Sequence, residues 1–201
     1  FLMNKKYLYM LSTGHLSVDI NSGSLPAILP FFVSEYGMDY TSIAGVMFAS
    51  SFLSSVIQPL FGWLADKGSR QWFMGLGVLM TGLSLALTGF VTDYWSIFVA
   101  VTIMGIGSSI FHPEGARNVN AIAGARKGQG MSIFSVGGNA GFGFGPLLAV
   151  FLITTFGMKG TAFYGFTAII MSSLLFLAAP SIRRAAEASR IASQQDRPVG
   201  S

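Results

Sequence analysis

The sequence predicts an all-α membrane protein in which six transmembrane helices form one bundle. Three observations carry the prediction. The 201-residue chain is 52% hydrophobic and only 10% charged, whereas a soluble domain carries about 25% charged residues; its mean hydropathy is +0.61. The apolar residues gather into six runs, each long enough for the roughly 20 residues that cross a ~30 Å hydrocarbon core. Of the 12 Lys and Arg residues, all but Lys159 fall in joints on one side of that threading, and basic residues prefer the cytoplasmic side.

The runs are 7–32, 42–64, 72–90, 95–116, 129–156 and 161–180, joined by short polar stretches. Lys5, Lys6, Lys67, Arg70, Arg117, Arg126, Lys127, Arg183, Arg184, Arg190 and Arg197 lie on the cytoplasmic side, while Glu35, Asp39, Asp93 and Lys159 lie outside. Both termini are therefore expected in the cytoplasm. Trp63, Trp72 and Trp95 stand at span ends, as do Tyr7, Tyr36, Tyr40 and Tyr94, where amphipathic rings settle at the membrane interface. The opening residues show no cleavable signal, with Met3 as a candidate start; residues 1–180 read as the bundle and 181–201 as a basic cytoplasmic tail. The tail's first turns are suited to a short interfacial helix, and Ser193 onward reads as disordered.

Within the runs, Gly137, Gly141 and Gly145 recur every four residues and present a smooth face for close helix packing. Pro146, Pro26 and Pro30 lack a backbone donor and are expected to kink their helices. Polar residues inside a hydrocarbon layer are costly and mark function. His15 and Asp19 are four apart in the first span and share a helix face, with Asn21 and Ser22 beside them. At ~1.5 Å per residue they lie about 12 and 18 Å above the inner boundary. The fourth span runs the other way and brings in His112 and Glu114 roughly 5–10 Å deep, followed by Arg117. Asn139 in the fifth span is expected near Asp19. A buried carboxylate beside imidazoles can load and release protons near neutral pH, so these residues read as a proton-coupled solute pathway. The plainer alternative leaves the histidines bonded to helix carbonyls and Glu114 paired with Arg117.

Other chemistries fare poorly. With no Cys and two His that form no helical i, i+4 pair, no metal centre is expected. Gly141-x-Gly143-x-Gly145 follows no strand, so no dinucleotide cofactor is expected, and no nucleophile–base pair suggests an enzyme. The basic residues are scattered in pairs between apolar runs, which argues against a nucleic-acid partner.

Gly62-Trp-Leu-Ala-Asp66-Lys67-Gly-Ser-Arg70 resembles the loop signature between spans two and three of the major facilitator superfamily, with Ser69 where that family has glycine. Gly141-x3-Gly145-Pro146 is similar to the antiporter motif of its fifth span; the arginine common in its fourth span would fall at Val101. More narrowly, Gly14-His15-Leu16-x2-Asp19 with Leu25-Pro26, Phe111-His-Pro-Glu-Gly115 and Val136-Gly-Gly-Asn139-Ala-Gly141 together look like the fosmidomycin-resistance family of drug exporters. The resemblance implies a 3+3 inverted-repeat half bundle in a bacterial inner membrane, exporting small polar or anionic solutes against protons. Such transporters have twelve spans in two halves. The implied partners are therefore the lipid bilayer, a solute, protons and a second six-span half, supplied by another copy or by the rest of a longer chain. Asp66 is expected to face the amino end of the opposite half's fifth-span counterpart, the competing arrangement being a pair with Lys67 or Arg70 in its own loop. The alternative function is a non-transporting scaffold that retains the fold.

Overall fold

A computed structural model describes residues 4–68 and 70–195. The candidate start at Met3, Ser69 of the loop signature, Arg197 and the rest of 196–201 lie outside the described residues. Six α-helices account for nearly all of the rest: α1 Lys5–Tyr36, α2 Tyr40–Lys67, α3 Trp72–Leu87, α4 Tyr94–Ala123, α5 Lys127–Phe156 and α6 Ala162–Gln195. Short 3-10 turns at Gly124–Arg126 and Met158–Thr161 join the last three. No strand occurs among the described residues. Four continuous helical stretches have the length and hydropathy of membrane-crossing segments, namely Lys5–Tyr36, Tyr40–Lys67, Tyr94–Phe156 and Met158–Ala192; the apolar Trp72–Leu87 is shorter.

Local chemistry sets the joints on the Glu35 side. Gly37, at φ 67, ends α1 in the left-handed conformation, its N–H donating to Val33 O while Met38 N–H reaches Phe32 O; only a residue without Cβ enters that conformation cheaply. Asp39 and Asp93 then cap α2 and α4 by accepting from Ser42 N at 2.7 Å and Ser96 N at 2.9 Å. These hydrogen bonds hold both carboxyls below the usual aspartate range. A depressed folded-state value means stabilisation that is present above the ordinary aspartate pKa and lost as pH falls through the depressed one. Asp39→Ala and Asp93→Ala are therefore expected to lower the melting temperature at pH 7, and that deficit should shrink as pH falls below the ordinary aspartate pKa when melts are followed by circular dichroism.

Two helices run further than the apolar pattern suggests. α4 continues past Ala116 through Arg117 and Asn118, because nothing breaks it before Gly124 at φ 57. α6 continues past Pro180 through the first turns of the basic tail. Proline removes one N–H and crowds the preceding turn without forbidding helix on either side, and Ser181 to Gln195 is rich in Ala and Arg, good helix formers. Ile182 is fully buried in the inner core, which ties this extension to the bundle.

α1 packs most extensively on α5; α3 lies between α4 and α6, and α2 leans mainly on α4. Two apolar cores stack along the bundle. One gathers Leu8, Leu11, Phe111, Phe134, Leu175 and Ile182; the other gathers Leu25, Phe32, Leu85, Ile97, Leu152 and Tyr164. Large apolar side chains also cover the outside, such as Phe142, Leu147 and Leu177, as lipid rather than water requires. Trp63, Trp72 and Trp95 are all exposed at helix ends.

Candidate functional site

The site begins with how closely α5 approaches α1. A Cβ placed on Gly141 would come within 2.5 Å of Leu16 O, and one on Gly145 within 2.6 Å of Ile20 O; at Gly137 it would strike Ser12 O. Only glycine allows this contact, and it brings the Phe134 carbonyl and ring of α5 against His15. Pro146 adds a second device. It has no N–H for the carbonyl of Phe142, and that carbonyl lies against Gly23 of α1, where a Cβ would collide with it. Ser24 Oγ lies 2.8 Å from Gly145 O and accepts from Tyr164 OH at 2.8 Å, linking α1, α5 and α6.

At this junction three polar side chains meet. Asp19 Oδ2 lies 3.1 Å from His15 Nε2, and Asp19 Oδ1 lies 3.1 Å from His112 Nε2 on α4. His15 Nδ1 is 2.8 Å from Phe134 O, and His112 Nδ1 is 2.8 Å from Ser108 O and 3.2 Å from Ser108 Oγ. A carbonyl only accepts, so each Nδ1 carries a hydrogen and donates it. Each Nε2 lone pair then points at a carboxylate oxygen, and the two contacts are satisfied only when a proton or another cation is shared across them. The surroundings are aromatic: Phe134 stacks on His15 with ring centroids 4.1 Å apart, and the two imidazoles meet edge-on at 5.0 Å. Gly138 completes the pocket, since a Cβ there would come within 2.5 Å of His15 Nε2 and 2.7 Å of Asp19 Oδ2. His15 is the most enclosed; the side chains of Asp19 and His112 keep 17% and 24% of their surface open. The three donor atoms lie within 4.8 Å of one another, a spacing suited to a single metal ion, where the sequence led us to expect no metal centre.

Two of the expected members are elsewhere. Asn139 is exposed, because successive helix residues are turned by about 100° and the face toward α1 is already taken by Gly137, Gly138 and Gly141. Asn21 is buried, but it points away from Asp19: its Nδ2 donates to Ser17 O at 2.9 Å and lies 3.4 Å from Thr81 Oγ1 on α3. Gly138, Phe134 and Ser108 were not singled out by sequence. Gly138 adjoins the spaced glycines; a carbonyl donated by Phe134 or Ser108 leaves no signal in residue type.

His112 and Glu114 are separated by the same geometry. Two residues apart, they leave α4 on different sides, and Glu114 turns to the α2–α3 joint. It is fully buried and accepts from Arg70 N at 3.0 Å and Asn118 Nδ2 at 2.8 Å, while Gln71 Nε2 lies 3.4 Å from Asn118 Oδ1. Arg117 donates to the Ala65 carbonyl at the end of α2, with Asp66 4.0 Å away. The cation nearest Asp66 is thus Arg117 of α4, in place of Lys67 or Arg70 of the competing loop arrangement. Those two cations are engaged with rings: Lys67 Nζ lies 3.6 Å from the centre of Trp63 and Arg70 sits 5.6 Å from that of Phe73. Gly62 borders open space.

Comparison with known proteins agrees with this architecture. The family model for the Major Facilitator Superfamily matches residues 11–200. The chain is 32% identical over 160 residues to the fosmidomycin resistance protein of Escherichia coli K12, covering 80% of this chain and 39% of that protein. It is 30% identical over 170 residues to the uncharacterized MFS-type transporter YfnC of Bacillus subtilis 168, covering 85% and 41%. A multidrug resistance protein, MdtG of E. coli 55989, is 24% identical over 148 residues, covering 71% and 36%. The chain spans about two fifths of the length of these curated relatives. A crystal structure of tetrameric PepTSo2 superposes with a TM-score of 0.70 at 18% identity, over 99% of this chain and 45% of that one, a likeness of fold. With a helical bundle sheathed in apolar side chains and a family match running from α1 to beyond α6, this integral membrane protein belongs to the Major Facilitator Superfamily.

Proposed function

We propose that the chain is one six-span half, built as a 3+3 repeat, of a secondary active transporter that exports a small polar or anionic solute in exchange for protons by alternating access. The observation that carries the reading is Asp19, a carboxylate inside a membrane helix, held between two imidazoles whose other nitrogens are fixed by main-chain carbonyls. Intramembrane groups of this kind face a pathway rather than lipid, and His15, Asp19 and His112 form it here. Asn21, Glu114 and Arg117 brace α1 and α4 against their neighbours, and Gly62, Asp66, Lys67 and Arg70 form the cytoplasmic gate loop.

A second half completes the protein, either another copy or a further stretch of a longer chain. Its need is supported by α2, where Ser51, Ser55 and Gln58 are exposed along a segment that lies otherwise in hydrocarbon, and by exposed Asn139 on α5. Polar groups at that depth call for a protein or aqueous neighbour. The distribution of basic residues supports cytoplasmic termini, and the bacterial relatives support a bacterial inner membrane.

Three measurements test this reading. Single cysteines at Asp93 and Lys159 should react with an impermeant label from outside intact cells, and one at Arg126 should not; the opposite pattern ends the topology. For assembly, the Asp66 side chain is 89% exposed despite its Arg117 neighbour, so it remains free to meet the amino end of a partner's fifth span. There the helix dipole contributes roughly 0.3–1 kcal/mol before screening. Cysteines at Asp66 and Gln129 should crosslink between two copies in the state closed to the cytoplasm; a monomer without that crosslink assigns the second half to a longer chain. For transport, fosmidomycin, after which the 32%-identical relative is named, is the probe solute in proteoliposomes with an imposed pH gradient. Absence of gradient-driven uptake in the assembled form removes that solute from the reading.

A further inference from the structure

We infer that His15, Asp19 and His112 bind a divalent transition-metal ion of the Zn²⁺ class. The inference stands on the geometry of the three side chains and does not require the transport reading. Two imidazole nitrogens and a carboxylate oxygen form a donor set that suits zinc, nickel or iron far better than magnesium or calcium. His15 Nε2 lies 3.1 Å from Asp19 Oδ2 and His112 Nε2 lies 3.1 Å from Asp19 Oδ1; one donor atom from each residue lies within 4.8 Å of the others, and an ion with ligands at ~2.0–2.1 Å would draw them together.

The orientation of the rings is the second observation. A metal-bound histidine commonly donates its remaining N–H to a main-chain carbonyl, which fixes the tautomer and aims the lone pair at the ion. Both rings already do this, His15 through Phe134 O and His112 through Ser108 O, each at 2.8 Å. The two inward lone pairs face the two oxygens of one carboxylate, and a cation held among them satisfies all three side chains at once. Gly138 leaves the space beside His15 and Asp19 clear. Asp19 and His112 are the more open members, which supplies an entry path and an unfilled coordination position for water on that side. His15 and Asp19 come from α1 and His112 from α4, so a bound ion also clamps those two helices within the bundle. It takes the same nitrogens and oxygens that proton exchange would use, so the two occupancies exclude one another.

The chain has two His and no Cys, so an imidazole-ligated metal has no other source of ligands once any affinity tag is removed. Chelator-treated, untagged protein in detergent is titrated with Zn²⁺ by calorimetry, with Co²⁺ by visible absorption and with Cu²⁺ by pulsed electron paramagnetic resonance. The expected result is one ion per chain, Co²⁺ bands displaced by Zn²⁺, and a Cu²⁺ spectrum showing two imidazoles. His112→Ala and His15→Ala should each lose one imidazole signal and weaken Zn²⁺ binding roughly tenfold or more; Asp19→Asn should weaken it while keeping both. Absence of one-to-one binding, or affinity unchanged in the His112→Ala protein, overturns the site. Should His15→Ala fail to yield a monodisperse protein, the more exposed His112 and Asp19 variants decide the matter. The titration contains no transport step, so its failure is separate from a failure of the transport reading.

Discussion

Asp19→Asn is expected to bring proton-driven flux down to the level of protein-free vesicles, while the protein still inserts and elutes as wild type. The substitution keeps the size of the side chain and removes its charge. An aspartate can take a hydrogen bond on each oxygen from the two flanking imidazoles. An asparagine offers one acceptor and one donor, so it cannot share a proton with both rings, and it cannot gain or lose one near neutral pH. The loss should be of coupling rather than of fold, because the close contact of α1 with α5 rests on Gly137, Gly141 and Gly145, none of which is altered. The measurement is pH-dye-monitored proton movement in vesicles loaded with the assembled transporter, with fosmidomycin added and a pH step imposed. Thr13→Ala, at a residue whose hydroxyl donates to Tyr9 O of its own helix, serves as the comparison and should transport normally. Full coupled flux by the Asp19→Asn protein would remove this carboxylate from the mechanism.

Gly141→Val should cost on the order of 2–3 kcal/mol of stability, at the upper end of the overpacking range. The first added carbon alone would lie 2.5 Å from Leu16 O and 2.9 Å from Ile20 N, both main-chain atoms of α1 that cannot turn aside. The helices must separate, and separation pulls Phe134 away from His15 and opens the junction around Asp19. Gly143→Ala, two residues on, is the control: nothing lies within 4 Å of a Cβ there, so the change should stay within about 0.5 kcal/mol. Melting in detergent, followed by size-exclusion of heated samples, separates the two. Equal melting temperatures would show that the α1–α5 contact is looser than its spacing indicates.

Much of the architecture was legible in the chain before folding. Runs of apolar residues separated by short polar joints specify helices in lipid, since a backbone in hydrocarbon has to satisfy its hydrogen bonds internally. The four-residue repeat of Gly137, Gly141 and Gly145 named the face on which α5 meets another helix, because a repeat of four keeps residues on one side of a 3.6-residue turn. The same rule paired His15 with Asp19. Helix ends were less legible: α4 and α6 run on past Ala116 and Pro180, because apolar content marks the membrane rather than the helix.

What only the tertiary structure decided is which distant residues share a site. His112 is 93 positions from Asp19 and meets it through the packing of α4 beside α1, while Glu114, two residues further, is turned to the α2–α3 joint. The fixed twist of the helix separates those neighbours, yet their eventual partners depend on how the helices are arranged around one another. Asn139 and Gly138 show the same limit from the other side: the polar residue faces outward, and the one with no side chain lines the pocket. Space and main-chain carbonyls have no signature in residue type, so the clearance at Gly138 and the acceptors on Phe134 and Ser108 appear only once three helices are packed together.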